Sequence, residues 1–408
     1  MKFEEFGFDE QLLEGIRAMN YQEATPIQEQ VIPLILNKKD VLATAQTGTG
    51  KTAAFLLPIL NDLITKENSA DDINVLIIVP TRELAIQIAQ NLEAFAYFTP
   101  ISSIAIYGGT DGISFEAEKR ALSTGVDIAI CTPGRLISHL ASGYVKVKGL
   151  KYLILDEADR MLDMGFNDDI LKIIKYLPTE RQTLLFSATM PLKMNQLALA
   201  LLQNPARVNI SISKPPETIA QSAYIVYETQ KIELVKFILT NNLDKKVIVF
   251  CSKIINTQKL SATLNRNGIK NEAIHSSLEQ QVRENILLSF RSGQTKIIVA
   301  TDILSRGIDI DDIALVINFD VPNDGEDYVH RIGRTARAAT TGSAITLVGE
   351  TEQQKFHAIE ELLGYTVVKA EVPLTLGETP LYEPIKKSKN NNNKRKFYKS
   401  RFNKRTGK

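Results

Sequence analysis

Short apolar, β-branched runs alternate along this chain with longer stretches whose apolar residues recur at helical spacing. That alternation predicts α/β architecture, with parallel sheets covered by helices. In the first half the runs are Val41 to Ala43, Val75 to Val79, Ser103 to Tyr107, Asp127 to Ile130, Tyr152 to Leu155 and Thr183 to Phe186. After Arg82, Leu84, Ile88, Leu92 and Phe95 fall at near-helical spacing, so a helix is expected to follow that strand. The periodicity stops around Ser213-Lys214-Pro215-Pro216, where two consecutive prolines mark a linker. A second series then runs through Ala223 to Val226, Val247 to Phe250, Asn271 to Ile274, Lys296 to Val299, Leu315 to Ile317 and Ser343 to Val348. The expected organisation is a first domain over 1–212, a linker at 213–217, a second domain over 218–372 and a flexible tail over 373–408. In that tail, Pro-containing sequence gives way to the Asn390 to Asn393 run and then to basic residues, a composition that buries too little apolar surface to fold alone.

A length of 408 residues suits two domains, each large enough for its own core. With 44% hydrophobic and 23% charged residues the composition is that of a soluble globular protein. Cys131 and Cys251 are the only cysteines, which argues against a disulfide framework or a Cys-rich metal site. The apolar runs are too short to span a bilayer, and Met1 to Glu5 lacks a signal-peptide pattern. A reduced, cytoplasmic protein with no membrane partner is expected. The net charge of +1 conceals an asymmetry. From Ile385 to Lys408 lie eleven of the 48 Lys and Arg and none of the 47 Asp and Glu, so the remainder carries 37 basic against 47 acidic residues. A detached basic tail on an acidic body suits a polyanionic partner, and it equally suits a solvated solubility tail.

Two signals carry chemistry. Ala45-Gln46-Thr47-Gly48-Thr49-Gly50-Lys51-Thr52 follows the strand Val41 to Ala43 and precedes the apolar helical run Ala53 to Leu57. It reads as a phosphate-cradling loop, in which small residues let successive backbone N–H groups approach phosphate closely. Lys51 would serve the β- and γ-phosphates and Thr52 would place its hydroxyl on Mg²⁺. Ala45 stands where the motif usually has its first glycine. The second signal, Asp156-Glu157-Ala158-Asp159, ends the run Tyr152 to Leu155, at the strand edge where α/β sheets bind ligands. Asp156 would hold Mg²⁺, partly through water, and Glu157 would orient and deprotonate an attacking water. Alone, the acidic stretch could be a turn capping a helix; the loop upstream favours a nucleoside triphosphatase.

With these residues in hand the chain resembles a DEAD-box RNA helicase of superfamily 2, over nearly the whole of residues 1–372. Asp156-Glu157-Ala158-Asp159 spells the family's signature. The others follow in family order: Thr25-Pro26-Ile27-Gln28, Pro80-Thr81-Arg82-Glu83-Leu84-Ala85, Gly108-Gly109, Thr132-Pro133-Gly134-Arg135, Ser187-Ala188-Thr189, Val249-Phe250-Cys251-Ser252, Gln280 to Arg283, Ala300-Thr301-Asp302 to Asp309, and His330 to Arg337. The resemblance implies two tandem RecA-like domains and ATP as the nucleotide. Gln28 would read the adenine edge, Tyr21 would stack on the base and Phe3 would be the isolated upstream aromatic; an aromatic ring and a bidentate amide suit adenine physically. Asp309 would hold the ribose. Arg82, Gly109, Thr132 and Arg135 would contact the RNA backbone from the first domain, and Arg283 and Thr301 from the second. Ser187, Thr189, Asp159 and His330 would couple the domains, although a packed core histidine is the alternative for His330. Arg334 and Arg337 would reach the γ-phosphate as arginine fingers; because Arg331, Arg334 and Arg337 recur every three residues, a salt-bridged helix face is the alternative.

Departures from the family pattern are Asn20 and Ser276 for glycines, Ala24 for a proline and Ala336 for the glycine of the last motif. The implied function is an ATP-dependent RNA helicase, a monomer that opens short duplexes locally and non-processively. An ATP-gated RNA clamp and an ATP-independent annealer working through the tail are the alternatives, and ribosomal and RNA-decay assemblies are both open as partners.

Overall fold

The computed structural model describes residues 1–45, 48–108, 112–210, 219–302, 313–323, 325–335 and 342–384, with the backbone alone at 112–114, 280 and 326. The expected linker at 213–217 and the tail from Ile385 onward lie outside the described residues.

Two seven-stranded sheets account for the architecture. The first comprises β1 (Val41–Thr44), β2 (Val75–Ile78), β3 (Ser103–Ile106), β4 (Ile128–Cys131), β5 (Tyr152–Leu155), β6 (Gln182–Ser187) and β7 (Ala206–Asn209), in the order β3-β4-β2-β5-β6-β1-β7. The second comprises β8 (Ile219–Ile225), β9 (Val247–Phe250), β10 (Glu272–Ile274), β11 (Ile297–Ala300), β12 (Leu315–Asn318), β13 (Gly342–Val348) and β14 (Val368–Lys369), in the order β10-β11-β9-β12-β13-β8-β14. All the paired strands are parallel. These are the two tandem RecA-like domains of the expectation.

Parallel strands are covered on both faces and therefore read as continuous apolar runs. β2 shows how period-two geometry divides such a run. Val75 and Ile77 enter one core with Phe55, Ile88 and Phe186, while Leu76 and Ile78 enter the opposite core with Leu136, Met161 and Met194. Among the described residues no helix is long and apolar enough to cross a membrane.

Four segments differ from the sequence expectation. β7 and β14 are edge strands, and β7 buries only Val208, so neither leaves an apolar run to detect. β8 begins at Ile219, four residues before its apolar portion. Residues 373–384, expected in the flexible tail, are instead strapped to the second domain. Gln230 Nε2 donates to the carbonyls of Leu376 and Glu378, Gln353 Nε2 to that of Leu381, and the Tyr382 hydroxyl to Glu360, each within 2.8 Å. Lys369 lies 4.4 Å over the Tyr382 ring. These partners are distant in sequence, which hides the strap from local composition.

Candidate functional site

Strand order builds the site. β6 lies between β5 and β1, so the loop after β1, the carboxylates after β5 and Ser187 at the end of β6 share the C-terminal edge of one sheet. Ala45 donates its N–H to the Ser187 carbonyl at 3.0 Å, fixing the loop's entry to that strand. Gly48 (φ 86°) and Gly50 (φ 92°) take left-handed backbone, which costs glycine little. Lys51 then starts the helix Lys51–Thr65, with its Nζ on the Ala45 carbonyl at 2.9 Å across the loop, and Thr52 follows it.

Facing Lys51, Asp156 is 2% exposed. Burial pushes its carboxyl above the ordinary range, opposed by the Lys51 charge and the Glu157 N–H, and reinforced by Asp159. A buried carboxylate raised in this way is one that a cation would stabilise. Glu157 has φ 51° and ψ 48°, a left-handed conformation costing roughly 1–3 kcal/mol for a non-glycine residue and typical of functional turns. Asp159 Oδ2 accepts from the N–H groups of Ala188 (3.2 Å) and Thr189 (3.0 Å), while Ser187 Oγ donates to the Thr189 carbonyl at 2.6 Å. One carboxylate therefore sets the shape of the Ser-Ala-Thr turn.

The base end is built by Thr25 and Gln28. Gln28, 1% exposed, accepts from the Thr25 N–H at 2.9 Å and donates to the Gly50 carbonyl at 3.1 Å, and Thr25 Oγ1 donates to the Thr49 carbonyl at 2.8 Å. A primary amide has two donors and two acceptor lone pairs, of which these bonds use one of each. A Cβ on Gly50 would sit 2.5 Å from Gln28 Nε2, so a side chain there would displace the end of that amide as well as strain the backbone. Tyr21 is half-buried, with its ring edge-on to Phe95 at 5.3 Å between centroids. Phe3, expected among the ATP ligands, is enclosed in the core with its centroid 6.0 Å from Tyr21 in an edge contact; it supports Tyr21 and offers no face of its own to a base. Asn20 has φ 57°, a conformation that asparagine tolerates better than most residues, which accounts for its standing in for a glycine.

A cavity of about 490 Å³ brings Arg82, Thr132 and Arg135 of the first domain together with Ser276 and Arg283 of the second. Glu83 pairs with Arg283 across it at 2.7 Å. Burial and the Arg283 charge lower the Arg82 pKa, with Glu83 opposing. Thr301 stands at the end of β11. Next to it Asp302 accepts from Arg160 of the first domain through its carbonyl (3.4 Å) and binds Arg331 Nε through its carboxylate (2.6 Å). Arg331 is wholly buried, bonded also to Asn318 and the Asp320 carbonyl, and is a structural anchor inside the second domain. His330 precedes it on the helix Gly325–Ile332 and Arg334 lies on the turn that follows; both are buried, with Arg334 Nε on the His330 carbonyl at 3.3 Å. Gln46, Thr47, Gly109, Asp309, Ala336 and Arg337 lie outside the described residues. Sequence reasoning assigned no role to Glu83 or Arg160; both stand inside or next to quoted motifs, and only the partner domain reveals what they touch.

Known proteins resemble this chain in sequence and in fold. The family model described as DEAD/DEAH box helicase matches residues 25–197, and the helicase conserved C-terminal domain matches residues 230–339. The chain is 40% identical over 361 residues to the ATP-dependent RNA helicase CshA of Listeria monocytogenes, covering 88% of this chain and 68% of that protein. It is 39% identical over 373 residues to the ATP-dependent rRNA helicase rrp3 of Schizosaccharomyces pombe, covering 91% and 79%. Among solved structures, S. cerevisiae Dbp5 bound to RNA and ADP BeF3 superimposes with a TM-score of 0.80 at 28% identity, covering 90% of this chain and 95% of that one.

Proposed function

The chain belongs to the DEAD-box family of ATP-dependent RNA helicases, and on that premise we propose that it opens short RNA duplexes, or remodels RNA–protein assemblies, locally and without tracking along a strand. The observation that supports this reading is the pair of contacts across the cleft, Glu83 to Arg283 and Arg160 to Asp302. They join the nucleotide and RNA edges of both sheets, so that one closing motion engages both ligands. Closure around one strand bends or strips it from its partner, and reopening after hydrolysis releases it. No step requires forward motion.

In this reading Gln28 and Tyr21 hold adenine, Asp309 holds the ribose, and the loop from Ala45 to Thr52 cradles the phosphates. Glu157 orients and deprotonates the attacking water. Arg334 and Arg337 stabilise charge on the transferred phosphoryl group, tying hydrolysis to closure. Mg²⁺ fits the donor set of Asp156 and Thr52, because this ion keeps several waters and phosphate oxygens and needs few protein ligands. When bound it would neutralise charge developing on the phosphates. Arg82, Gly109, Thr132, Arg135, Arg283 and Thr301 hold the RNA backbone, while Ser187, Thr189, Asp159 and His330 couple the domains. The protein acts as a cytoplasmic monomer on RNA of ribosomal or decay assemblies.

The test is a duplex-length series at fixed stability per base pair. Unwinding that falls steeply with length and ignores the polarity of the overhang is the expected result; equal rates for short and long duplexes would overturn local opening. A clamp or a tail-driven annealer is separated by Lys51→Ala, in which annealing survives while unwinding and timed release do not.

A further inference from the structure

Arg135 rests on a buried assembly that none of the motifs includes. The helix Gly112–Thr124 supplies Phe115 and Glu118 one turn apart, and the helix Pro133–Ala141 supplies Arg135 and His139 one turn apart. A single oxygen, Glu118 Oε2, receives Arg135 Nε at 2.7 Å and lies 2.7 Å from His139 Nε2. The other ring nitrogen of His139 is bonded to the Tyr144 hydroxyl. Phe115 stacks on His139 with centroids 4.5 Å apart and planes at 13°, and the Arg135 guanidinium lies 4.6 Å over the same Phe115 ring. His139 is 0% exposed and Glu118 5%.

We propose that Glu118, His139 and Phe115 are positioning residues for RNA binding, locking the Arg135 guanidinium in the orientation that receives a backbone phosphate. A guanidinium is planar, so fixing Nε by an ion pair and the plane by an aromatic face fixes where its remaining N–H groups aim. A free arginine would have to give up rotamer freedom on meeting each phosphate; this one has given it up on folding. His139 accounts for the need for Glu118 to be held too. A carboxylate alone could swing with the arginine, whereas one bonded to a ring whose other nitrogen is tied to Tyr144 cannot. The same assembly also ties the helix that follows Gly108-Gly109 to the helix that begins at Thr132-Pro133, so it joins two of the proposed RNA-contacting segments. This inference rests on the reading of Arg135 as an RNA contact.

The experiment measures the RNA concentration for half-maximal ATPase stimulation, kcat at saturating RNA, KM for ATP and the melting temperature, for Arg135→Ala, Glu118→Gln and their double variant in the full chain. Glu118→Gln keeps the shape and removes the charge. It should raise the half-saturating RNA concentration on the order of tenfold and leave kcat and KM for ATP within about twofold. On the Arg135→Ala background it should add nothing, because its effect runs through that side chain. Phe115→Leu, which keeps apolar volume while losing the flat face, gives the same split and serves if Glu118→Gln melts early. An unchanged RNA requirement in both variants, or an equal rise with and without Arg135, overturns the positioning role. If Arg135→Ala itself binds RNA normally, the failure lies in the reading of the groove.

Discussion

Glu83 and Arg283 form a 2.7 Å ion pair between the two domains, with side chains only 9% and 6% exposed, inside the groove that also holds Arg82, Thr132 and Arg135. In the proposed function this pair would tie closure of the cleft to RNA binding. Breaking one partner of a buried interfacial pair typically costs about 2–5 kcal/mol, part of it for the charge left behind. Glu83→Gln should raise the half-saturating RNA concentration by at least about tenfold while leaving ATP binding to the isolated protein unchanged. A distance probe across the cleft should show closure only at higher RNA. An unaltered RNA titration would mean that the pair does not contribute to closure.

Glu157→Gln should bind ATP and RNA as the parent does and lose turnover by about 10²–10⁴, the usual contribution of a positioned general base. The complex should then persist on RNA, which a filter-retention or fluorescence-decay assay reads directly. Near-parental ATPase activity would remove Glu157 from the water-activating role.

Asp156 makes an opposite pair of predictions for stability and for activity. Burial raises its carboxyl pKa, so the folded chain binds that proton more tightly than the unfolded chain does. The associated stability is complete below the ordinary carboxylate pKa and is lost as pH rises through the elevated folded value. At neutral pH the ligand-free protein therefore carries a cost that Asp156→Asn relieves. Calorimetry without nucleotide should give the variant an equal or higher melting temperature at pH 7, with the difference vanishing toward pH 4, although hydrolysis is abolished. A variant that melts well below the parent at neutral pH contradicts this.

Base selectivity should follow from Gln28. A guanine edge mismatched to its amide leaves hydrogen bonds unmade at about 1–3 kcal/mol each, so kcat/KM for GTP should fall well below that for ATP. Gln28→Ala should narrow the gap. Because Gln28 also bonds Gly50, that variant should lose activity with ATP as well. Equal use of both nucleotides by the parent chain would refute the assignment.

The chain cut after Pro384 should keep the strap through Tyr382 and hence the fold of the second domain. RNA binding should weaken and its salt dependence flatten by about 0.7 log units per lost single-strand phosphate contact, with kcat at saturating RNA little changed. Unchanged affinity and salt slope would make the residues beyond Pro384 a solubility appendage.

What could be read from the sequence was decided by how local each signal is. β5 and its carboxylates were legible because four consecutive buried residues, Tyr152–Leu155, run straight into Asp156. The loop before Lys51 was legible because Gly48 and Gly50 answer its left-handed backbone. β7 was not, since an edge strand with one buried side chain has no pattern. The strap over 373–384 was not, because Gln230, Gln353 and Glu360 catch it from far away in the chain. The three arginines are the instructive case. Their spacing suited a salt-bridged helix face as well as a pair of fingers, and the pairing with Asp302 makes the first of them, Arg331, an internal anchor. Phe3 stands at a motif position too, and it is buried with its ring against Tyr21.

That buried Arg331 has a mechanical consequence. Its guanidinium is bonded to Asp302, Asn318 and the Asp320 carbonyl, so the turn carrying Arg334 is bolted to the body of its domain. In the proposed function, a finger on such a mount would not compensate for an incomplete approach by local flexing. Its distance from the phosphate would then report how far the whole domain has travelled, so that hydrolysis would gauge closure. RNA that holds the cleft slightly ajar, such as a strand still stiffened by its complement, would be sensed as slow turnover.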